Sequence, residues 1–162
     1  MKTWKKGKID GPFTWKECVG ALLYVLAGFL LSVLTSLILT FFQLQSNDET
    51  IKGMLYQQNV WTLIVLIFLS PVIEEVIFRY IIFKVVLRNT LKLPLWVAAG
   101  ISSLLFGMMH QPLEAALLAT GFGLILCSVY EKTEKLRYSI CIHFGFNLFS
   151  FCILLLSLHG LY

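Results

Sequence analysis

The fold is decided by the stretch CVGALLYVLAGFLLSVLTSLILTFFQLQSN, residues 18–47, which contains no charged side chain. A helix needs roughly 20 apolar residues to cross the hydrocarbon core of a bilayer, so this stretch is long enough to span a membrane. Across all 162 residues, 58% are hydrophobic and only 14% are charged, whereas soluble domains carry about 25% charged residues. The composition excludes an ordinary soluble enzyme, a nucleic-acid-binding domain and a disordered chain.

Four further uncharged runs follow, so the sequence predicts an all-α, polytopic membrane helical bundle with about five transmembrane helices. Barrel strands would instead alternate strictly over about 10 residues, and no such alternation is present. Lysine and arginine concentrate before the first run, between the second and third, and between the fourth and fifth. By the positive-inside rule, this predicts a cytoplasmic N-terminus and an external C-terminus. The four runs are residues 54–73, 93–113, 115–130 and 138–162.

No linker or internal repeat divides the chain. Residues 1–17 are expected to form a basic cytoplasmic arm, residues 48–58 a short external loop, and residues 18–162 a single membrane domain. The four cysteines form no C-x-x-C pair, which indicates neither a disulfide framework nor a thiolate metal site. Small residues at every fourth position predict close packing of the third and fourth helices. They are Ala99, Ser103 and Gly107 on the third helix, and Ala115, Ala119 and Gly123 on the fourth.

The second run continues directly into Glu74, Glu75 and Arg79 and then becomes apolar again. A charged side chain deep in a membrane helix costs at least about 2.5–3.5 kcal/mol, so three of them together indicate a function. Glu75 and Arg79 are four residues apart, which suits an intrahelical ion pair and leaves Glu74 on another face. Pro71 can kink the helix and free backbone groups. The alternative, an interfacial helix with solvated glutamates, is disfavoured by the apolar flanks.

Two more pairs of residues have the same four-residue spacing. Phe106 and His110 end the third run, and His143 and Asn147 lie early in the fifth. Each pair is therefore expected to share one helix face. A single histidine in a membrane helix is often a packing residue, but two histidines together with an acidic pair indicate a site.

Straight, upright helices would not bring these residues together. His110 would lie about 27 Å along its helix from Lys92, towards the outer side and away from the depth of Glu74. Convergence therefore requires strong tilt, a kink at Pro71, or a loop that dips into a water-filled cavity.

Taken in order, these motifs resemble the three-part signature of the CPBP intramembrane proteases. That family includes the CaaX-processing endopeptidases and the bacterial Abi proteins. The resemblance covers approximately residues 61–149. One departure is Tyr80, because many members have glycine after the motif arginine. The matching residues are Glu74, Glu75 and Arg79, then Phe106 and His110, then His143 and Asn147.

The resemblance implies an intramembrane endopeptidase in a multi-pass protein of the bacterial plasma membrane. Glu74 would activate a water molecule with the help of His110. His143 and Asn147 would stabilise the oxyanion that forms on the substrate carbonyl. The substrate would be a membrane-associated peptide or protein, with peptide maturation or bacteriocin self-immunity as the biological role. The supporting residues would be Glu75, Arg79 and Phe106.

The resemblance leaves the cofactor and several partners open. A metal-free, glutamate-dependent mechanism is favoured, since no H-E-x-x-H motif is present. A zinc-dependent version would use Glu74, His110 and His143 as ligands. A homo-oligomer is compatible with the sequence. Two other classes remain: a non-cleaving membrane protein that binds a peptide toxin or sensor partner, and an ion-coupled carrier. Residues 60–69 offer few polar groups, which disfavours the carrier.

Overall fold

A computed structural model describes residues 13–44 and 60–158, and every regular element within these ranges is helical. The predicted all-α membrane bundle is therefore confirmed. The predictions for residues 1–12 and for the loop 48–58 lie outside the described residues. The five helices are α1 (Trp15–Phe41), α2 (residues 60–90), α3 (Leu95–Met108), α4 (Leu113–Thr133) and α5 (Leu136–Leu158).

Helix α2 changes its hydrogen-bonding pattern along its length. Val60–Ile64 and Ser70–Glu74 have α-helical bonds, whereas Val65–Leu69 and Glu75–Thr90 have π-helical, i→i+5 bonds. Pro71, which has no N–H to donate, lies in the first turn of the second α-helical stretch. Stretches of π-helix are rare and occur frequently at functional sites. The second membrane segment is therefore one continuous helix with altered backbone bonding around Pro71.

Among the residues that the structure describes, three helical segments are long and apolar enough to cross a membrane: α1, α4 and Leu136–Ile153 of α5. Helix α3 has 14 residues and is about 21 Å long, which is short of the hydrocarbon thickness. It ends at Met108, and the chain turns through residues 109–112 before α4 begins. Proline at position 112 disfavours helical geometry in the preceding residue. The uncharged run 93–113 therefore holds a short helix and a turn rather than one full span.

The outer faces of the bundle are apolar. Leu22 and Leu30 on α1 and Phe68 on α2 are each more than half exposed, and they belong to a much larger set of exposed apolar side chains. A soluble monomer rarely exposes apolar patches of this extent, whereas a lipid-facing surface does. The molecule is accordingly a membrane protein. Its predicted orientation, with the N-terminus inside, stays a prediction.

The start of α1 is fixed to the start of α5. Thr14 and Glu17 form a capping box at the N-terminus of α1, which satisfies two otherwise free backbone donors. The Glu17 carboxylate forms an ion pair with Lys135. The Tyr138 hydroxyl donates to the Glu17 carbonyl over 2.8 Å. These contacts hold the N-terminal ends of α1 and α5 at the same end of the bundle.

Two of the basic residues between the second and third uncharged runs belong to helix α2. The helix continues to Thr90, so Lys84 and Arg88 project from its last turns. Arg88 Nη2 lies 2.9 Å from Glu131 Oε1, and Lys84 Nζ lies 3.2 Å from Glu131 Oε2. These ion pairs join α2 to the C-terminal end of α4.

Helices α3 and α4 approach each other closely at glycines, as the spacing of small residues predicts. A Cβ atom on Gly107 would lie 2.5 Å from the Ala116 carbonyl oxygen and would collide with the Thr120 hydroxyl. A Cβ atom on Gly123 would lie 2.9 Å from Ser103 Cβ. Small residues of this kind let membrane helices pack backbone to backbone. This contact fixes the end of α3, and hence the turn that carries His110.

We expect Gly107→Ala to destabilise the fold by about 1–3 kcal/mol, because the Ala116 carbonyl cannot move away without distorting α4. Gly100→Ala is the matched control in the same helix, since its Cβ would meet no atom within 4 Å. The control is expected to be neutral or stabilising by up to about 1 kcal/mol. Thermal unfolding in mild detergent measures both variants. Equal midpoints for the two would contradict the described packing.

Candidate active site

The predicted ion pair between Glu75 and Arg79 is present, and both side chains are completely buried. Arg79 Nε lies 3.4 Å from Glu75 Oε2. The guanidinium group also lies over the Phe106 ring, 4.3 Å from its centroid. A desolvated cation above an aromatic face is stabilised by the ring quadrupole. The pair and the ring therefore attach the middle of α2 to α3.

His143 is held between the two glutamates. Its Nδ1 atom lies 3.0 Å from Glu75 Oε1, and its Nε2 atom lies 3.6 Å from Glu74 Oε2. The Glu74 side chain is 26% exposed, in contrast to the buried Glu75. The rings of Phe106 and Phe122 contact the imidazole edge to face, each with centroids 5.7 Å away. The imidazole is thus fixed in orientation by hydrogen bonding and by packing.

His110 lies in the turn after α3, and not on a helix face as the four-residue spacing predicts. The reason is that α3 ends at Met108. The chain nevertheless folds back, so that the His110 and Phe106 ring centroids are 4.7 Å apart. His110 Nδ1 lies 2.9 Å from the Phe106 carbonyl oxygen, which can only accept. In the neutral ring Nδ1 is therefore the donor, and Nε2 has a free lone pair.

Asn147 follows His143 by one turn on α5 and is also bound to α2. Its Nδ2 atom donates to the Leu66 carbonyl over 3.2 Å. His143 contacts Glu75, and Asn147 contacts Leu66, so α5 runs antiparallel to α2. The two polar residues of the third motif are each anchored to α2, on opposite sides of Pro71.

A cavity of about 120 Å³ joins the second and third motifs. Its polar lining is His110, His143 and Asn147, and the rest of its wall is apolar. The spacing of small residues marks Ala115 and Ala119 of α4 as packing residues, but the sequence carries no signal that they or the other α4 wall residues line a cavity. The apolar lining residues are Phe106, Ala115, Leu118, Ala119, Phe122 and Phe146.

The structure brings the second and third motifs to one cavity, whereas the first motif reaches that cavity only through its contact with His143. Glu74 is in contact with His143, which lines the cavity, but Glu74 is not itself a lining residue. Glu75 and Arg79 lie behind His143, in the protein interior. The difficulty posed by straight helices is resolved because α2 continues past Lys84 to Thr90, so that Glu74 lies about as far along the chain from the end of α2 as His110 lies from the start of α3.

The side chains considered for zinc do not form a ligand set as they stand. Within residues 13–44 and 60–158, no group of three His, Cys, Asp or Glu residues has a geometry that could hold a metal ion. A zinc site needs three or four such ligands at about 2.0–2.3 Å from one point. Glu74, His110 and His143 do not meet that requirement.

We expect Arg79→Met to destabilise the protein by about 3–5 kcal/mol, because it leaves the Glu75 carboxylate buried beside a neutral side chain. The double variant Glu75→Gln/Arg79→Met removes both charges and should recover part of that loss. Lys84→Met, which breaks a partly exposed pair with Glu131, is the control and should cost no more than about 1 kcal/mol. Unfolding in mixed detergent micelles measures all three. Equal losses for Arg79→Met and Lys84→Met would contradict a buried, compensated pair.

Comparison with known proteins identifies the family. The sequence model of the family described as "Type II CAAX prenyl endopeptidase Rce1-like" matches residues 56–149, which is more than half of the chain. The chain is also 28% identical over 142 residues to a Bacillus subtilis (strain 168) protein named "Putative membrane peptidase YdiL". That alignment covers 83% of this chain but only 57% of the relative. No solved structure matches the chain significantly. The chain belongs to the Rce1-like family of type II CAAX prenyl endopeptidases.

Proposed function

We propose that this protein is an intramembrane endopeptidase that hydrolyses a peptide bond in a membrane-associated peptide or protein. The observation that carries the proposal is the position of His143. It contacts both motif glutamates and lines the same cavity as His110 and Asn147. Two imidazoles and a carboxamide donor thus line one cavity, and the Glu74 carboxylate lies against one of those imidazoles. Hydrolysis of an amide requires a base and oxyanion donors of this kind.

Glu74 is proposed as the general base. It is the more exposed of the two glutamates, and Arg79 is paired with Glu75 instead. A carboxylate placed next to a bound water molecule can take its proton as a general base. His110 would orient the water, since its Nε2 lone pair is free to accept a hydrogen bond. The activated water would then attack the scissile carbonyl carbon.

His143 and Asn147 are proposed to stabilise the oxyanion. The Asn147 carboxamide has a second N–H besides the one bound to Leu66. The proton that Glu74 removes from water is within reach of His143 Nε2, 3.6 Å away. Once protonated there, His143 can donate to the oxyanion from the cavity wall, and the proton finally passes to the leaving amine.

The cavity wall favours a substrate with an apolar side chain next to the scissile bond. A cavity of roughly 150 Å³ accommodates a benzene ring. The cavity in this protein has a volume of about 120 Å³ and is therefore large enough for one side chain of medium size. We further propose that the protein acts in the bacterial plasma membrane, with its N-terminus inside. Peptide maturation or bacteriocin self-immunity is the proposed biological role.

Replacing Glu74 by Gln should reduce hydrolysis by about 10²–10⁴-fold, because the amide keeps the shape and removes the base. Mass spectrometry of native-host membranes and secreted peptides, at matched expression, should show a product that disappears and a precursor that accumulates. Glu134→Gln is the control. It removes an exposed carboxylate at the C-terminal end of α4 and should leave the peptide profile unchanged.

Identical profiles for wild type and Glu74→Gln, in a host where deletion of the protein still has a phenotype, would contradict the proposed hydrolysis. That outcome would favour the non-cleaving protein that binds a peptide toxin or sensor partner. It would also make the three motifs a binding scaffold.

Ala115→Leu should shift cleavage towards substrates with small side chains, because the larger residue fills part of the cavity. Purified wild type and variant are compared on one library of synthetic peptides, and cleaved sites are identified by mass spectrometry. Ala115→Ser, which is nearly isosteric, is the control and should keep the wild-type profile. Loss of cleavage at all sites by the same factor would contradict a role of this cavity in side-chain selection.

A further inference from the structure

The carboxamide of Asn147 is bound to a backbone carbonyl that a regular helix would not leave available. In an α-helix the Leu66 carbonyl would accept from the N–H of residue 70, and in a π-helix from the N–H of residue 71. The Ser70 N–H is directed at the Val65 carbonyl instead. Residue 71 is proline, which has no N–H.

The Leu66 carbonyl is therefore free to accept from outside its own helix. A backbone carbonyl at membrane depth without a donor is costly, because the hydrocarbon region offers no water to donate, so a side-chain partner is strongly favoured. Asn147 Nδ2 supplies that partner at 3.2 Å. The contact joins α2 to α5 one turn beyond the contact of His143 with Glu75.

We infer that Pro71 is a positioning residue for Asn147. By withholding a backbone donor, it keeps the Leu66 carbonyl available, and this carbonyl fixes which way the Asn147 carboxamide points. Because a carbonyl can only accept, Nδ2 must face it, and the amide cannot flip to present Oδ1. The second N–H of the same nitrogen then has a defined direction. That this N–H serves the oxyanion rests on the proposed function.

Pro71→Ala tests this inference, because alanine restores the missing N–H and is well tolerated in helices. The new donor can bind the Leu66 carbonyl within α2 and release Asn147. The expected result is a fall in kcat of about three- to tenfold with little change in KM, as for a partly lost oxyanion donor. The substrate is the precursor peptide that accumulates in the Glu74→Gln comparison, synthesised with a fluorescence-quenching pair.

A double-mutant cycle separates positioning from general damage to the helix. If Pro71 acts through Asn147, Pro71→Ala should lower kcat in the wild-type background and have no further effect in Asn147→Ala. Pro94→Ala is the control, since this proline lies outside α2, at the N-cap position of α3. It should leave kcat unchanged. An equal fall of kcat in both backgrounds, or no fall in either, would overturn the inference.

A second measurement does not depend on activity. The chain has four asparagines, Asn47, Asn59, Asn89 and Asn147, so [¹⁵N]Asn-labelled protein in nanodiscs gives few carboxamide signals. The Asn147 signal is assigned by its loss in Asn147→Ala. One of its protons should exchange slowly with solvent in wild type and rapidly in Pro71→Ala.

Unchanged exchange in Pro71→Ala would overturn the inference even if the protein is a protease. Conversely, rapid exchange of the Asn147 proton in Pro71→Ala, together with no cleavage by the wild type, would support the positioning contact and contradict only the proposed function.

Discussion

A buried carboxylate with two different cationic or hydrogen-bonding partners is the interaction on which the rest of this structure depends. Glu75 faces Arg79 with one oxygen and His143 with the other. A charge in the interior of a membrane domain is tolerated only when it is closely paired. Each partner of Glu75 therefore fixes an element: Arg79 lies on its own helix and covers Phe106 of α3, and His143 holds α5. The ion pair of Glu75 and the packing of α2, α3 and α5 therefore depend on each other.

This arrangement explains why the polar residues converge although the helices differ greatly in length. Helix α3 is too short to span a bilayer, and it is held against α2 by the Ser102 hydroxyl, which donates to the Phe78 carbonyl over 2.7 Å. Its C-terminal end is pressed against α4 at Gly107. The turn that follows brings His110 back against Phe106. The cavity thus forms where a short helix ends inside the bundle, next to the anchored His143.

Helix α2 contributes more than charged side chains. Its π-helical stretches displace backbone donors by one residue, and Pro71 removes one donor altogether. The resulting free carbonyl is used by Asn147. Irregular backbone within a membrane is expected only where other groups satisfy it or where it lines a cavity. Here the Asn147 side chain of the third motif satisfies it, so the irregular part of α2 is directly bonded to the candidate active site.

Much of the fold and part of the site could be predicted from the sequence. Runs without charged residues indicate membrane helices, and a spacing of four residues indicates side chains that are neighbours on one helix face. The all-α membrane bundle, the Glu75–Arg79 pair and the packing of small residues between α3 and α4 were predictable in this way. The turn at His110 was hidden because Gln111 and Pro112 carry no charge, so an uncharged run continued through it. Helix α4 is longer than its uncharged run because Glu114 and Lys132 lie in its first and last turns.

The contact of His143 with Glu75 could not be predicted, since it joins residues 68 positions apart. Spacing along one helix carries no information about which face of another helix it meets. The same holds for the bond from Asn147 to Leu66, which depends on a backbone group. The likeness of the motifs to a known family indicated that these residues meet, but not through which atoms.

The central claim is that His143 is hydrogen-bonded to Glu75 through Nδ1 and lies beside Glu74 through Nε2. Solid-state ¹⁵N spectra of [¹⁵N]His-labelled protein in bilayers test it most directly, because the chain has only three histidines. We expect one imidazole, assigned by His143→Gln, to carry a hydrogen-bonded proton on Nδ1. Its Nδ1 resonance should shift in Glu75→Gln, and its Nε2 resonance should shift in Glu74→Gln. A His143 signal that responds to neither substitution would contradict the account.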